Sequence, residues 1–120
     1  MASTIVVMVQ DLFFLAKIRE TAKAAGVTVV TVDPRTSPVA IAQAQPQVIF
    51  VDLNSPELSS LGWVEALKAS PATRLIRIVA FVSHVQEELI SAARAAGCDS
   101  IMARSAFTKQ LPDLLRSLAS

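Results

Sequence analysis

Short apolar runs alternate along the chain with segments in which apolar residues recur every three or four positions. The runs have the length and the β-branched composition of strands that are buried on both faces of a sheet. Five predicted strands lie at Thr4–Val9, Val27–Val32, Val48–Val51, Leu75–Val82 and Ile101–Ala103. Five predicted helices lie at Leu12–Ala25, Pro38–Ala44, Leu61–Ala69, Val85–Ala96 and Phe107–Leu118. The pattern therefore predicts strands and helices in strict alternation.

Such an alternation predicts an α/β domain with a single doubly wound, five-stranded parallel sheet. We expect the flavodoxin-like (βα)₅ arrangement, with strand order 2-1-3-4-5 and helices on both faces. Asp11 is suited to cap the first helix, Gly26 and Gly97 to end helices, and Pro112 to lie in the first turns of the last helix. No linker or repeat interrupts the pattern, which predicts one domain over residues 1–120.

Composition narrows the functional classes. With 52% hydrophobic residues the chain is too apolar for disorder, yet no apolar run is long enough to cross a membrane. Its 11 basic and 10 acidic residues are mixed, so no basic stripe predicts nucleic-acid binding. No basic segment leads into an apolar stretch at the N-terminus, which argues against a signal peptide. Cys98 is the one cysteine, which suits a reducing compartment and a cytoplasmic location.

Candidate chemistry lies at the carboxyl ends of the strands, where open parallel sheets bind ligands. The side chains that follow the predicted strands there are Gln10, Asp11, Asp52, Asn54, Ser83, His84, Arg104 and Ser105. The turn Val9–Leu12 lacks the glycines of a phosphate-binding loop, and no nucleophile elbow is present. A single histidine and a single cysteine make a zinc site unexpected.

The spacing of residues at these ends resembles that of response-regulator receiver domains. Asp52 ends an apolar strand and Pro56 follows four residues later. Val82 lies 30 residues beyond Asp52, and Arg104 lies 22 beyond Val82. The segment Ala95–Asp99 is similar to the turn that precedes the fifth strand in that family.

The resemblance implies that Asp52 is the phosphoacceptor and that the backbone carbonyl of Asn54 contacts a magnesium ion. The acidic pair that would hold the metal falls on Val9 and Gln10, with Asp11 one position further. Asp11, Asp52 and Asn54 are therefore the candidate metal ligands, although they form a weak set for a cation that prefers carboxylates.

Other positions of the resemblance also depart from the family. The hydroxyl residue that contacts the phosphoryl group falls on Val82, and Ser83 is expected to point to the opposite face. The phosphate-binding lysine falls on Arg104, which we expect to pair with Asp52. The proline that follows that lysine falls on Ser105, and the aromatic switch residue falls on Ile101.

These departures predict a stand-alone pseudo-receiver that acts in signalling through protein contacts, with little or no phosphotransfer and no cofactor. One alternative is a competent receiver that binds magnesium and phosphorylates Asp52, for example from a histidine kinase. Another is a flavodoxin-like binder of a small ligand. The face that the family uses for association, made of helix four, strand five and helix five, is the candidate surface for self-association or partner binding. In a homodimer, charge pairs could form across a twofold axis between Glu87, Arg94, Lys109 and Arg116.

Four further residues carry predictions of their own. Cys98 is expected to be small buried packing and Trp63 to be mostly buried. Phe13 falls on the polar side of the first helix, about 140° from Ile18, and is a candidate for partner contact. His84 lies at the ligand-binding edge of the sheet.

Overall fold

The structure is a computed structural model that describes residues 3–54, 60–83 and 86–119. Its strands are β1 (Ser3–Met8), β2 (Val27–Thr31), β3 (Val48–Asp52), β4 (Arg77–Val82) and β5 (Ser100–Ala103). Its helices are α1 (Leu12–Ala25), α2 (Pro38–Gln43), α3 (Ser60–Ala69), α4 (Glu87–Ala96) and α5 (Arg104–Ala119). All strand pairs are parallel and the order is 2-1-3-4-5, so the predicted fold class is confirmed.

Alternate residues of the central strands fill two separate cores. In β3, Val48 and Phe50 pack toward α1 and α5, whereas Ile49 and Val51 pack toward α2, α3 and α4. The period of two along a strand produces this division. The sheet is thereby covered on both faces, and its carboxyl edge remains as the place where polar loop residues converge.

Capping sets the ends of α1 as the sequence predicts. The Asp11 carboxylate accepts hydrogen bonds from the backbone N–H groups of Phe13 and Phe14, at 3.0 and 3.1 Å. Gly26 ends the helix with φ 74°, a left-handed conformation that glycine adopts without strain. Asp11 is therefore fixed in space by the helix that it caps.

Some predicted boundaries are wrong. β1 ends at Met8 rather than Val9, and β4 begins at Arg77, because Leu75 lies 89% exposed in a turn. α5 begins at Arg104, three residues before the predicted start. Pro112 is consequently the ninth residue of α5 and not in its first turns, so the carbonyl of Thr108 lacks its helical N–H donor.

Cys98 and Trp63 are both buried, as predicted. Cys98 is 8% exposed, and its burial raises the pKa of the thiol to about 11, so it stays protonated at neutral pH. Trp63 is 5% exposed and donates from Nε1 to the carbonyl of Thr36 at 3.3 Å. Within the described residues, no helix has the length and apolar character needed to cross a bilayer.

A polar clamp ties the opposite, amino-terminal edge of the sheet together. Lys68 Nζ donates to the carbonyls of Arg74 and Ile76 and to the carboxylate of Asp99, at 3.1 to 3.2 Å. The same Asp99 oxygen accepts the Ile78 N–H at 2.8 Å. The clamp thus joins α3, the turn before β4, β4 itself and the turn before β5.

Candidate functional site

An open polar cleft lies at the carboxyl edge of the sheet. It has a volume of about 340 Å³ and is lined by Gln10, Asp11, Asp52, Asn54, Ser83 and Arg104. These residues follow β1, β3, β4 and β5, which end side by side in the sheet. Six of the predicted site residues are therefore brought together.

Asp52 forms the floor of the cleft. Asp52 is the last residue of β3 and is 8% exposed, and it pairs with Phe81 in the register with β4. One carboxylate oxygen accepts the Asn54 N–H at 2.9 Å, and the backbone carbonyl accepts the Ser60 hydroxyl at 2.6 Å. Asn54 thus holds the carboxylate of Asp52, and Ser60 holds its backbone carbonyl.

Asn54 links the β3 loop to the β4 loop. Its side-chain oxygen accepts the backbone N–H of Ser83. A phosphoryl group on Asp52 would have to compete with the amide oxygen of Asn54 for this N–H donor. The strand-end donor is thus already satisfied by a neighbouring side chain.

Arg104 does not pair with Asp52, so that prediction is wrong. Its guanidinium donates to the Asp11 carboxylate at 3.1 Å, and the guanidinium carbon lies 4.0 Å from the centre of the Phe14 ring. Because α5 packs beside α1, the start of α5 places Arg104 over the first turn of α1. The ion pair and the cation–π contact together hold the side chain there.

The capping interactions and Arg104 set the titration of Asp11. The pKa of this carboxyl lies below its usual value, chiefly because the Phe14 N–H donates to it and secondarily because Arg104 is adjacent. The stability that Asp11 contributes is therefore present above its ordinary pKa of 3.8 and is lost as the pH falls through the lowered value.

Arg104→Met should raise the pKa of Asp11, because it removes a hydrogen bond and a positive charge from the carboxylate. The rise should be partial, since the two N–H donors of α1 remain. Carboxyl chemical shifts in an NMR pH titration measure it. Arg35→Met, which breaks the exposed Arg35–Asp33 pair, is the matched control and should leave the pKa of Asp11 unmoved. If Asp11 has the same pKa in the unaltered protein, in Arg104→Met and in Arg35→Met, the pairing of Arg104 with Asp11 is contradicted.

The residues of the cleft do not fit a magnesium site of the receiver type. Within the ranges that the structure describes, no three His, Cys, Asp or Glu side chains are grouped to hold a metal. The Asp11 carboxylate is committed to two backbone N–H groups and to Arg104. Asp52 is the remaining carboxylate of the cleft, and one of its oxygens is held by Asn54. Without the acidic pair that the receiver pattern places after β1, this is a weaker set of ligands for magnesium than that pattern supplies.

The other predicted positions lie as follows. Val82 is 1% exposed in the core on the α3–α4 side, and Ser83, the residue after β4, lines the cleft. Ile101 is half-buried against the same core. Ser105 is exposed and lines a neighbouring cleft with Phe13 and Arg104. His84 and Pro56 lie outside the described residues.

Two features of the site were missed by sequence reasoning. The Phe14 ring beneath Arg104 was not predicted to belong to the site; it also contacts Phe81 at a centroid distance of 5.0 Å. Asn54 was predicted to act through its backbone carbonyl, and the hydrogen bond of its side chain was not predicted. Asparagine is a common loop-forming residue, but the donor that its side-chain oxygen meets depends on the neighbouring segment.

No protein-family model and no curated protein matches the chain. Solved structures do match it in fold. The chemotaxis protein CheY4 of Vibrio cholerae is 18% identical with a TM-score of 0.83, and the match covers 98% of this chain and 99% of that one. A response regulator protein from Burkholderia multivorans is 22% identical with a TM-score of 0.76, covering 100% and 97%. A response regulator from Hahella chejuensis is 20% identical with a TM-score of 0.79, covering 94% and 92%.

In these three matches the likeness covers 94% to 100% of this chain. The resemblance indicated by Asp52, Pro56 and Arg104 is thus confirmed at the level of the fold. At these identities the likeness establishes the fold alone, and function has to be argued from the cleft itself.

Proposed function

We propose that this chain, which has the fold of response-regulator receiver domains, is a pseudo-receiver: a signalling domain that acts by contacting other proteins, with little or no phosphotransfer. The observation that carries the proposal is the position of Arg104. The sequence resemblance aligns this residue with the family's phosphate-binding lysine. Its guanidinium is engaged with Asp11 and Phe14.

Several polar groups of the cleft pair with one another, whereas Nε of Arg104 is buried without a hydrogen-bond partner among the described residues. Asp52 accepts from Asn54, Asn54 accepts from Ser83, and Asp11 accepts from Arg104. Phosphoryl transfer depends on positioned cations that neutralise charge on the transferred group. A cleft without a fitting metal site, and with its arginine already paired, supplies little of that neutralisation.

The groups that would report phosphorylation to the rest of the domain are also apolar. Val82 has no hydroxyl to follow a phosphoryl group, and Ile101 has no aromatic ring to exchange between two positions. A modification shifts a conformational equilibrium only by interacting differently with the two states. We therefore expect one dominant conformation, with regulation by a partner that docks directly.

The second candidate is a phosphorylation-competent receiver. It is favoured by Asp52 itself, which is a strand-end carboxylate at the floor of an open cleft. In this case Asp52 would be the phosphoacceptor, with a histidine kinase or a small phosphodonor as the source. Weak autophosphorylation at Asp52 is the activity to test for.

Magnesium with beryllofluoride, a mimic of the phosphoryl group, should leave the amide spectrum of the protein unchanged in α4 and β5. The reason is that the cleft lacks both the metal ligands and the hydroxyl that would hold the mimic. Two-dimensional NMR of the protein alone, with magnesium, and with magnesium plus beryllofluoride measures the response. Mass spectrometry after acetyl phosphate treatment should likewise show no added phosphate.

Asp52→Asn is the matched control, because it removes the phosphoacceptor oxygen at nearly constant volume. Shifts in α4 and β5 that appear with beryllofluoride and vanish in Asp52→Asn would establish the competent receiver instead. Shifts that persist in Asp52→Asn would come from binding elsewhere and would leave Asp52 without a role as acceptor.

A further inference from the structure

One stripe of α1 points away from the body of the protein. Phe13 is 91% exposed, and Lys17, Glu20 and Ala24 are exposed below it on the same side of the helix. The opposite side of α1 enters the core through Ile18 and Ala22, both fully buried. The stripe therefore contributes nothing to the packing of α1 on the sheet.

The spacing along the stripe is four, three and four residues, from Phe13 through Lys17 and Glu20 to Ala24. This is the alternation of the seam positions in a coiled coil, which keeps one line of side chains facing a partner helix. Among the described residues, the ion pairs of the chain involve neither Lys17 nor Glu20. Both charges remain available to a partner.

The stripe is complementary to itself. We propose that α1 pairs with α1 of a second copy of this chain, antiparallel, about a twofold axis that passes between positions 18 and 19. That axis places Phe13 opposite Ala24 of the other copy, and Lys17 opposite Glu20 of the other copy. Because a twofold axis repeats every contact, the pair contains two aromatic–alanine layers and two ion pairs.

The facing side chains of the two α1 helices are complementary in size and in charge. The large Phe13 ring meets the smallest apolar side chain of the stripe, which lets the helices approach, and each lysine meets a glutamate. The antiparallel arrangement also sets the positive N-terminal end of one helix dipole beside the negative end of the other. The net charge of +1 per chain causes little repulsion between copies.

The interface is small, so the dimer should be weak and dependent on concentration. It differs from the face of α4, β5 and α5, which the sequence resemblance suggested for self-association. The two faces lie on different helices, and single charge changes distinguish them.

Sedimentation velocity over a concentration series is the test. The unaltered chain should shift from monomer toward dimer as concentration rises. Lys17→Glu and Glu20→Lys should each weaken the association roughly tenfold or more, because each sets like charges together twice. The double variant Lys17→Glu with Glu20→Lys restores both ion pairs with their signs exchanged, and it should dimerise again.

Phe13→Ser should also abolish dimerisation, and because the ring is exposed the monomer should stay folded. Lys109→Glu on α5 is the matched control and should have no effect. A chain that stays monomeric at every concentration would overturn the proposal. So would a dimer that is disrupted by Lys109→Glu and indifferent to the changes on α1, or a double variant that fails to recover.

Discussion

Phe107→Ala is expected to lower the free energy of unfolding by about 3–5 kcal/mol. The side chain is fully buried at the start of α5 and stacks on Phe81 with 4.7 Å between ring centroids. It also meets Phe50 edge-on at 4.9 Å and Phe14 at 5.9 Å. Truncation would leave a cavity among three rings that belong to α1, β3 and β4, which cannot all close in on it.

Urea unfolding monitored by circular dichroism measures the loss, and Phe13→Ala is the matched control. The control removes the same atoms from an exposed ring, so in dilute protein it should change stability by less than about 0.5 kcal/mol. A loss near 1 kcal/mol at Phe107 would mean that the aromatic cluster collapses easily and is not the rigid support that its geometry indicates.

The aromatic cluster around Phe107 supports the polar cleft, because Phe14 belongs to the cluster and also contacts Arg104 of the cleft. The Phe14 ring contacts Phe81 and Phe107, and the guanidinium of Arg104 lies over the ring. The core thereby fixes the surface on which Arg104 rests. This is the physical reason that Arg104 lies toward α1, where a ring and a carboxylate meet it, and not toward Asp52.

Element type and order were predictable because they follow from short-range periodicity. Leu12–Ala25 was predicted to the residue, since Asp11 and Gly26 mark its ends with specific chemistry. Pro112 misled the prediction for α5, because a proline signals the start of a helix more strongly than its middle. Leu75 was assigned to a strand by its apolar side chain, although the turn leaves it exposed.

The convergence of the cleft residues was predictable in the same way, because parallel strands end at one edge of the sheet. The pairing within the cleft was not. Arg104 had two carboxylates within the same edge, and the choice of Asp11 over Asp52 depends on how α5 sits against α1. Such a choice is made by long-range packing, which sequence spacing does not encode.

Gly97→Ala is expected to cost about 2–4 kcal/mol of stability, and Gly26→Ala about 1–2 kcal/mol. Both glycines end helices, but their surroundings differ. Gly26 has φ 74° and no atom within 4 Å of an added Cβ. Gly97 has φ 113°, further than Gly26 from the centre of the left-handed helical region, and its added Cβ would lie 2.6 Å from Cγ of Lys68.

The larger cost at Gly97 arises because Lys68 is not free to move aside. Its Nζ is held by Arg74, Ile76 and Asp99, so a displaced side chain would give up the clamp. Lys68→Ala removes both the Cγ and the clamp, and in that background Gly97→Ala should cost about 1 kcal/mol less. Gly26→Ala should cost the same in either background. If Gly97→Ala costs as much without Lys68 as with it, backbone strain alone explains the penalty and the contact with Lys68 is energetically irrelevant.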